Sequence, residues 1–129
     1  MPKHITDESD AIIKKAKKDK DILAVILFGS FARKEPYRDI DVCLVMYPKK
    51  HTKLSLSRKK LQYLTDFHKT DIQIYQQLPI YIRSRILKEG KVLFCKNEDP
   101  LYDIAFETIR DFNDFEPRYK TYLEGVMNA

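Results

Sequence analysis

Four short segments of the chain have the continuous or alternating apolar pattern of β-strands. Residues 22–28 are all apolar and end at Gly29, which is typical of a strand covered on both faces. Residues 70–76 alternate polar and apolar side chains, as expected of a half-buried strand. The four predicted strands are 22–28, 39–47, 70–76 and 91–95.

The segments between these strands have apolar residues at helical spacing. Thr6 or Asp7 is placed to cap a first helix and Gly90 to end the third, because these residue types are favoured at helix ends. A final amphipathic helix is expected to break near Pro117 and resume to Gly125. The predicted helices are 7–20, 52–68, 79–89 and 100–115. Because helices and strands alternate, we predict an α+β fold, a mixed β-sheet of about four strands with helices packed on it.

The size and composition of the chain fit one domain without a membrane segment. With 129 residues the chain is too short for two independent cores, so residues 1–129 are predicted to form a single domain. The longest apolar run has seven residues, whereas a membrane span needs about 18. The polar start does not resemble a signal peptide, and we expect a cytoplasmic protein. The two cysteines lack partners at ligand spacing, which argues against a zinc site or a disulfide framework.

The residues with the clearest chemistry lie in the second predicted strand. Asp39 and Asp41 are two residues apart, so their side chains project from the same face of a strand about 7 Å apart. Two neighbouring carboxylates repel each other, and a divalent cation would offset that repulsion. Oxygen-only ligands suit Mg²⁺, which also accepts oxygens from a phosphate group.

A third carboxylate, Asp71, lies near the start of the next predicted strand. If segment 70–76 pairs beside segment 39–47, Asp71 reaches the same patch, and three carboxylates can hold two metal ions for phosphoryl-type transfer. Gly29 and Ser30 follow the first strand, where backbone N–H groups and the Ser30 hydroxyl can bind a triphosphate. Taken singly, each feature has a structural alternative: an acidic pair at a sheet edge, a plain turn, or a surface charge or helix cap at Asp71.

In this order, the residues resemble the signature of the DNA polymerase beta nucleotidyltransferase superfamily. Segment 28–33, Phe-Gly-Ser-Phe-Ala-Arg, is similar to the opening motif of its minimal nucleotidyltransferases, the MntA-type antitoxins. Segment 78–94, in which a helix leads through Gly90 into an apolar strand, is similar to their distal part. The resemblance covers at least residues 22–95 and implies the polymerase-beta-type nucleotidyltransferase fold.

The chain departs from the family pattern in the loop after the glycine turn. The family usually has Gly where this chain has Lys34, and a longer loop where this chain has residues 31–38. Arg38 also replaces the customary Ser before the first aspartate. These differences bear on base preference and catalytic rate, and they leave the three carboxylates unchanged.

The resemblance implies a Mg²⁺-dependent transferase that moves AMP from ATP to a tyrosine of a partner HEPN-type toxin. In that role the chain would be the antitoxin of a type VII toxin–antitoxin pair. The implied catalytic residues, which would bind two Mg²⁺ ions, are Asp39, Asp41 and Asp71. The implied nucleotide-binding residues are Gly29, Ser30 and Arg33. The guanidinium of Arg33 suits a phosphate, although an ion pair with Glu35 is an equal alternative.

A chain of this size has little protein with which to enclose an acceptor, so the acceptor is expected on a partner's surface. The last predicted helix carries apolar residues that could contact such a partner or pack on the sheet instead. These are Leu101, Tyr102, Ile104, Phe106, Phe112, Phe115, Tyr119 and Tyr122.

Three other functions remain open from the sequence. The chain could be a catalytically weak or inactive antitoxin that blocks its toxin sterically, an alternative that the altered loop favours. It could act on a small molecule, as antibiotic-modifying relatives do. A nucleic-acid-binding module is the least supported, because the net charge of +5 is mild and no aromatic residues are interleaved with the lysines.

Overall fold

The protein is organised around one four-stranded sheet in which the most apolar strand is central. The computed structural model describes the backbone of residues 3–29 and 40–127, with side chains in 8–29, 41–117 and 124–125. The strands are β1 (Ile22–Phe28), β2 (Ile40–Met46), β3 (Thr70–Ile74) and β4 (Lys91–Cys95). β1 pairs antiparallel with β2 and β4, and β2 pairs parallel with β3, so the order is β3-β2-β1-β4. This mixed sheet confirms the predicted α+β fold.

Helices cover both faces of the sheet. They are α1 (Lys3–Lys18), α2 (Lys53–Asp66), α3 (Ile80–Glu89) and α4 (Glu98–Met127). One core contains side chains of the sheet, α1 and α2, and the second contains side chains of the sheet, α3 and α4. Residues 22–27 of β1 are all buried, as predicted for a strand covered on both faces. Within the residues that the structure describes, no helix has the length and apolar character needed to cross a membrane.

A cluster of charged side chains fixes the turn before β1 to helix α2. Lys59 Nζ lies 3.0 Å from Asp19 Oδ2 and 3.2 Å from Asp21 Oδ2, and Lys49 Nζ lies 2.8 Å from Asp21 Oδ1. The Tyr63 hydroxyl donates to Asp19 Oδ2 at 3.0 Å. Hydrogen bonds from Lys49 and Lys59 lower the pKa of Asp21 to about 2. The ion pairs that Asp21 makes in this cluster therefore stabilise the fold only while Asp21 is ionised.

We expect the Asp21→Asn variant to be less stable than the wild type by about 1 kcal/mol at neutral pH, the upper range for a surface ion pair. Because the folded-state pKa is depressed, this stabilisation is present above the unfolded-state pKa and is lost as the pH falls from about 4 to about 2. Urea unfolding of both proteins across this range measures the difference. A difference that persists unchanged at pH 2 would contradict the assignment.

The predicted start of the first helix is wrong. Helix α1 begins at Lys3, so Thr6 and Asp7 lie inside the helix and do not cap it. It ends at Lys18 because Asp19 Oδ1 accepts from the Asp21 backbone N–H at 3.1 Å and turns the chain.

Helix α4 continues through Pro117, where the sequence predicted a break. A proline removes one hydrogen bond and crowds one carbonyl, and the intact hydrogen bonds of a 30-residue helix on either side can offset that cost.

Strand β3 is shorter than predicted, ending at Ile74 and followed by a 3₁₀ turn, Tyr75–Gln77. Beyond Ile74 the side chain of Gln76, instead of the backbone, makes the hydrogen bonds to β2. Its Oε1 accepts from the Met46 backbone N–H at 3.1 Å, and its Nε2 donates to the Met46 carbonyl oxygen at 2.9 Å. The other predicted elements are confirmed to within a few residues. Helix α2 is capped by Thr52, whose side chain accepts from the Ser55 backbone N–H.

Candidate active site

Two of the predicted carboxylates lie side by side on the sheet. β2 and β3 are parallel and adjacent, and their register pairs Asp41 directly with Asp71. Residues paired in register project from the same face, and neighbouring strands are about 4.8 Å apart. Asp41 is half-buried, whereas Asp71 is exposed on the edge strand. The conditional step of the sequence argument, that β3 pairs beside β2, is therefore confirmed.

Gly29 lies directly against the Asp41 carboxylate. Its backbone has a φ of +80°, in the left-handed region, where residues with a side chain are strained. A Cβ atom at this position would lie 2.1 Å from Asp41 Oδ2. From the sequence, Gly29 was predicted to lie in a turn that binds a triphosphate. The structure adds a reason for glycine, which is that the carboxylate of β2 occupies the space of the missing side chain.

A polar relay holds the Asp71 carboxylate from the side of α2. Gln73 Nε2 donates to Asp71 Oδ1 at 3.2 Å, and Lys60 Nζ donates to Gln73 Oε1 at 3.1 Å. The sequence analysis did not assign a role to Gln73 or Lys60. The available signal was the position of Gln73 two residues after Asp71 in a strand, which places both side chains on one face.

Cys43 is the buried neighbour of Asp41 along β2. It follows Asp41 by two residues on the same face of β2 and is fully buried. Burial raises the pKa of its thiol far above the usual range, so the thiol stays protonated and packs as a small apolar side chain. Cys43 and Cys95 are both free, as expected for a chain without a disulfide framework.

A cleft of about 160 Å³ opens beside Gly29, between the end of β1 and helix α3. Its walls combine apolar and charged side chains. On successive turns of α3, Arg85 Nη2 lies 4.0 Å from Glu89 Oε2. The cleft is lined by Phe28, Gly29, Ile82, Arg85, Ile86 and Glu89. Helix α3 was not among the predicted parts of the site, although Ile82 and Ile86 are spaced to share one helix face.

The remaining predicted site residues lie outside the described part of the chain. These are Ser30, Arg33 and Asp39, together with the short loop 31–38. Among the side chains that the structure describes, in 8–29, 41–117 and 124–125, no group of three acidic, histidine or cysteine residues is arranged to hold a metal ion. The described residues thus contribute two carboxylates, Asp41 and Asp71, and their oxygen donors suit Mg²⁺.

Comparison with known proteins connects this geometry to one family. Residues 10–99 match the family described as "Polymerase beta, Nucleotidyltransferase". A Methanocaldococcus jannaschii protein, named as an inferred protein adenylyltransferase, is 32% identical over 101 residues, which are 77% of this chain and 76% of that protein.

Solved structures with the same fold come from toxin–antitoxin complexes. A structure of tri-AMPylated Shewanella oneidensis HEPN toxin with MNT antitoxin contains a chain that matches with a TM-score of 0.69 and 15% identity, covering 95% of this chain and 98% of that one. A toxin–antitoxin structure with AMP-PNP matches with a TM-score of 0.67 and 18% identity, covering 89% and 95%. At these identities the likeness shows the fold. The family match and the M. jannaschii relative show that the chain belongs to the polymerase beta nucleotidyltransferase family.

Proposed function

We propose that this protein transfers AMP from ATP to a tyrosine of a HEPN-domain toxin, as the antitoxin of a type VII toxin–antitoxin pair. The observation that carries the proposal is the in-register pairing of Asp41 with Asp71 beside the backbone of Gly29. This arrangement brings two carboxylates and a strand-end turn together, as phosphoryl-type transfer requires. The activity named for the M. jannaschii relative and the AMPylated toxin in the Shewanella complex support the choice of reaction.

The carboxylates fit Mg²⁺ by their chemistry. Asp41 and Asp71 offer oxygen ligands on one face of the sheet, and Asp39 is the third residue of the proposed set of two metal sites. When bound, Mg²⁺ would neutralise charge on the phosphates and on the reacting oxygens. The Asp41 carboxylate is held against Gly29, so the ligand nearest the phosphate turn is already positioned.

The residues of the chain then act on the acceptor. The acceptor oxygen forms a bond to the α-phosphorus of ATP, the bond from that phosphorus to the β-phosphate oxygen breaks, and pyrophosphate leaves. Asp71, exposed on the edge strand, takes the proton of the acceptor hydroxyl. Gln73 holds Asp71 Oδ1 and thereby orients the carboxylate. Gly29, Ser30 and Arg33 bind the phosphates in this proposal.

The site is open enough to need an acceptor from outside the chain. Asp71 is exposed, and the cleft beside Gly29 is small and lies at the surface. Its walls, which include Phe28 and Ile82, suit one aromatic ring, either the adenine or the acceptor tyrosine. A partner protein therefore completes the site, and the HEPN toxins in complexes of the same fold are the candidates.

The test uses ATP labelled on the α-phosphate and a cognate HEPN-domain protein. We expect Mg²⁺-dependent label on a tyrosine of the partner and none on this chain, together with loss of the partner's ribonuclease activity. Chelation of Mg²⁺ is expected to abolish labelling. Intact-mass spectrometry of the partner counts the AMP units and identifies the tyrosine.

Inhibition without labelling would instead support the second candidate, a binding-only antitoxin. The specific observation in favour of that candidate is the short loop 31–38 with Lys34 in place of the family's glycine. Under that function, chelation of Mg²⁺ would leave the inhibition unchanged.

A further inference from the structure

The outward face of α4 carries large apolar side chains that the fold does not bury. Tyr102 is 57% exposed, Phe106 is 70% exposed and Ile109 is 49% exposed. Their spacing of four and three residues places them in one row along the helix. The opposite side of the helix, including Ile104 and Thr108, is buried against the rest of the protein. Of the predicted apolar run, Ile104 thus packs inward, whereas Tyr102 and Phe106 face outward.

A row of acidic side chains runs beside this apolar row. Asp99, Asp103, Glu107 and Asp111 follow one another at intervals of four residues. Segment 98–117 contains seven acidic residues and one arginine, Arg110, in a chain whose net charge is +5. Like charges four residues apart destabilise a helix by about 0.2–0.5 kcal/mol per pair. The repulsion within the row therefore disfavours the helix beyond its first turn.

Little in the described structure neutralises this row. Arg110 Nε lies 3.9 Å from Asp111 Oδ1, at the end of the row. Asp103 and Glu107 form no ion pair with any other described residue. We refer to Tyr102, Phe106, Ile109 and the acidic row of four as the outer face of α4. Exposed apolar area beside a row of largely unneutralised like charge indicates a binding surface.

The negative charge of the outer face limits the kind of surface that can bind to it. A twofold contact between two copies of this chain would bring two acidic rows together, which is unfavourable. The basic helix α1 of a second copy offers charge complementarity, but residues 8–18 contain no exposed large apolar side chain to meet Phe106. A different protein whose apolar side chains are flanked by Lys and Arg fits both features of the face.

We infer that the outer face of α4 is the docking surface for the HEPN-domain protein, through an apolar and basic surface of that protein. This inference rests on the proposed function. It agrees with the layers of the fold, because α3 and α4 lie on the face of the sheet from which Asp41 and Cys43 project. A partner on α4 therefore lies on the side of the sheet that holds the cleft of α3.

The experiment measures binding of a cognate HEPN-domain protein by isothermal titration calorimetry. Phe106→Ser is expected to weaken Kd by about 30-fold, as for a central aromatic anchor. The double variant Asp103→Lys, Glu107→Lys is expected to weaken binding at low salt by about 10-fold and to reduce its salt dependence.

The matched controls lie on other helices. Leu61→Ser changes an apolar residue of α2 that is 64% exposed, and Asp10→Lys changes an acidic residue of α1. Each control should change Kd by less than about twofold. Unchanged thermal unfolding verifies that each variant is folded.

The outcomes separate the docking surface from the proposed reaction. If the outer-face variants bind as tightly as the controls, the inference is wrong, even if AMP transfer is normal. If Phe106→Ser abolishes a complex that transfers no AMP in the wild type, the docking surface is supported and the transferase function fails. If the isolated chain self-associates in sedimentation experiments and Phe106→Ser makes it monomeric, the occupant is a second copy and the inference is wrong.

Discussion

Replacement of Asp41 by alanine is expected to lower the rate of AMP transfer by about a thousandfold or more. A metal ion contributes several kcal/mol of transition-state stabilisation, and each 1.36 kcal/mol corresponds to a tenfold change in rate. Asp41 is half-buried and lies in register with Asp71, so its loss removes a ligand at the centre of the proposed metal site. Single-turnover transfer of labelled AMP to the HEPN partner measures the effect.

The Asp41→Ala variant should remain folded, because the substitution also removes the repulsion between the two neighbouring carboxylates. The control is Asp10→Ala, which removes an exposed carboxylate from α1 and should leave the rate unchanged. Circular dichroism and thermal unfolding verify the fold of both variants. An Asp41→Ala protein that retains more than about a tenth of the wild-type rate would refute the assignment of this residue.

The Gly29→Ala variant is expected to lose both stability and activity. A φ of +80° costs a residue with a Cβ atom about 1–2 kcal/mol, and the new Cβ would lie 2.1 Å from Asp41 Oδ2. The carboxylate must therefore move, and a displacement of about 1 Å at a reacting centre can lower a rate by about 100-fold. Thermal unfolding and AMP transfer by the same protein preparation measure the two effects.

Gly125→Ala is the matched control, because nothing lies within 4 Å of the Cβ that it would add in helix α4. It should be neutral or stabilise the protein by about 0.5–1 kcal/mol. In the Asp41→Ala background, Gly29→Ala should cost less stability than in the wild type, because the clashing carboxylate is absent. Equal costs in the two backgrounds would show that Gly29 and Asp41 do not interact.

The predicted strands were the most accurate part of the sequence interpretation. β1 and β4 have the predicted bounds, because a short apolar run that ends at a glycine or a turn leaves few alternatives. Helix α2 was located correctly, but only some of the leucines spaced along it are buried. Leu56 is buried and Leu64 packs against the core, whereas Leu54 and Leu61 are exposed. Local spacing predicts a helix, and the surrounding elements decide which of its sides is covered.

The sequence was sufficient to choose the residues of the candidate site, but not to predict the contacts between them. Asp41 and Asp71 could be chosen from their positions in two strands, but their pairing depends on strand register over a separation of thirty residues. The contact between Gly29 and Asp41 depends on the antiparallel pairing of β1 with β2. Neither pairing is encoded by a local pattern, because both follow from how the sheet assembles.

The sequence alone determined the family, the alternation of helices and strands, and the acidic residues that carry the proposed chemistry. It did so because strand and helix periodicity and a short motif are local properties of the chain. Only the tertiary structure decided that Asp71 lies beside Asp41, that Gly29 makes room for a carboxylate, and that Phe106 faces outward beside an acidic row. These are relations between segments distant in sequence, and packing and strand order set them.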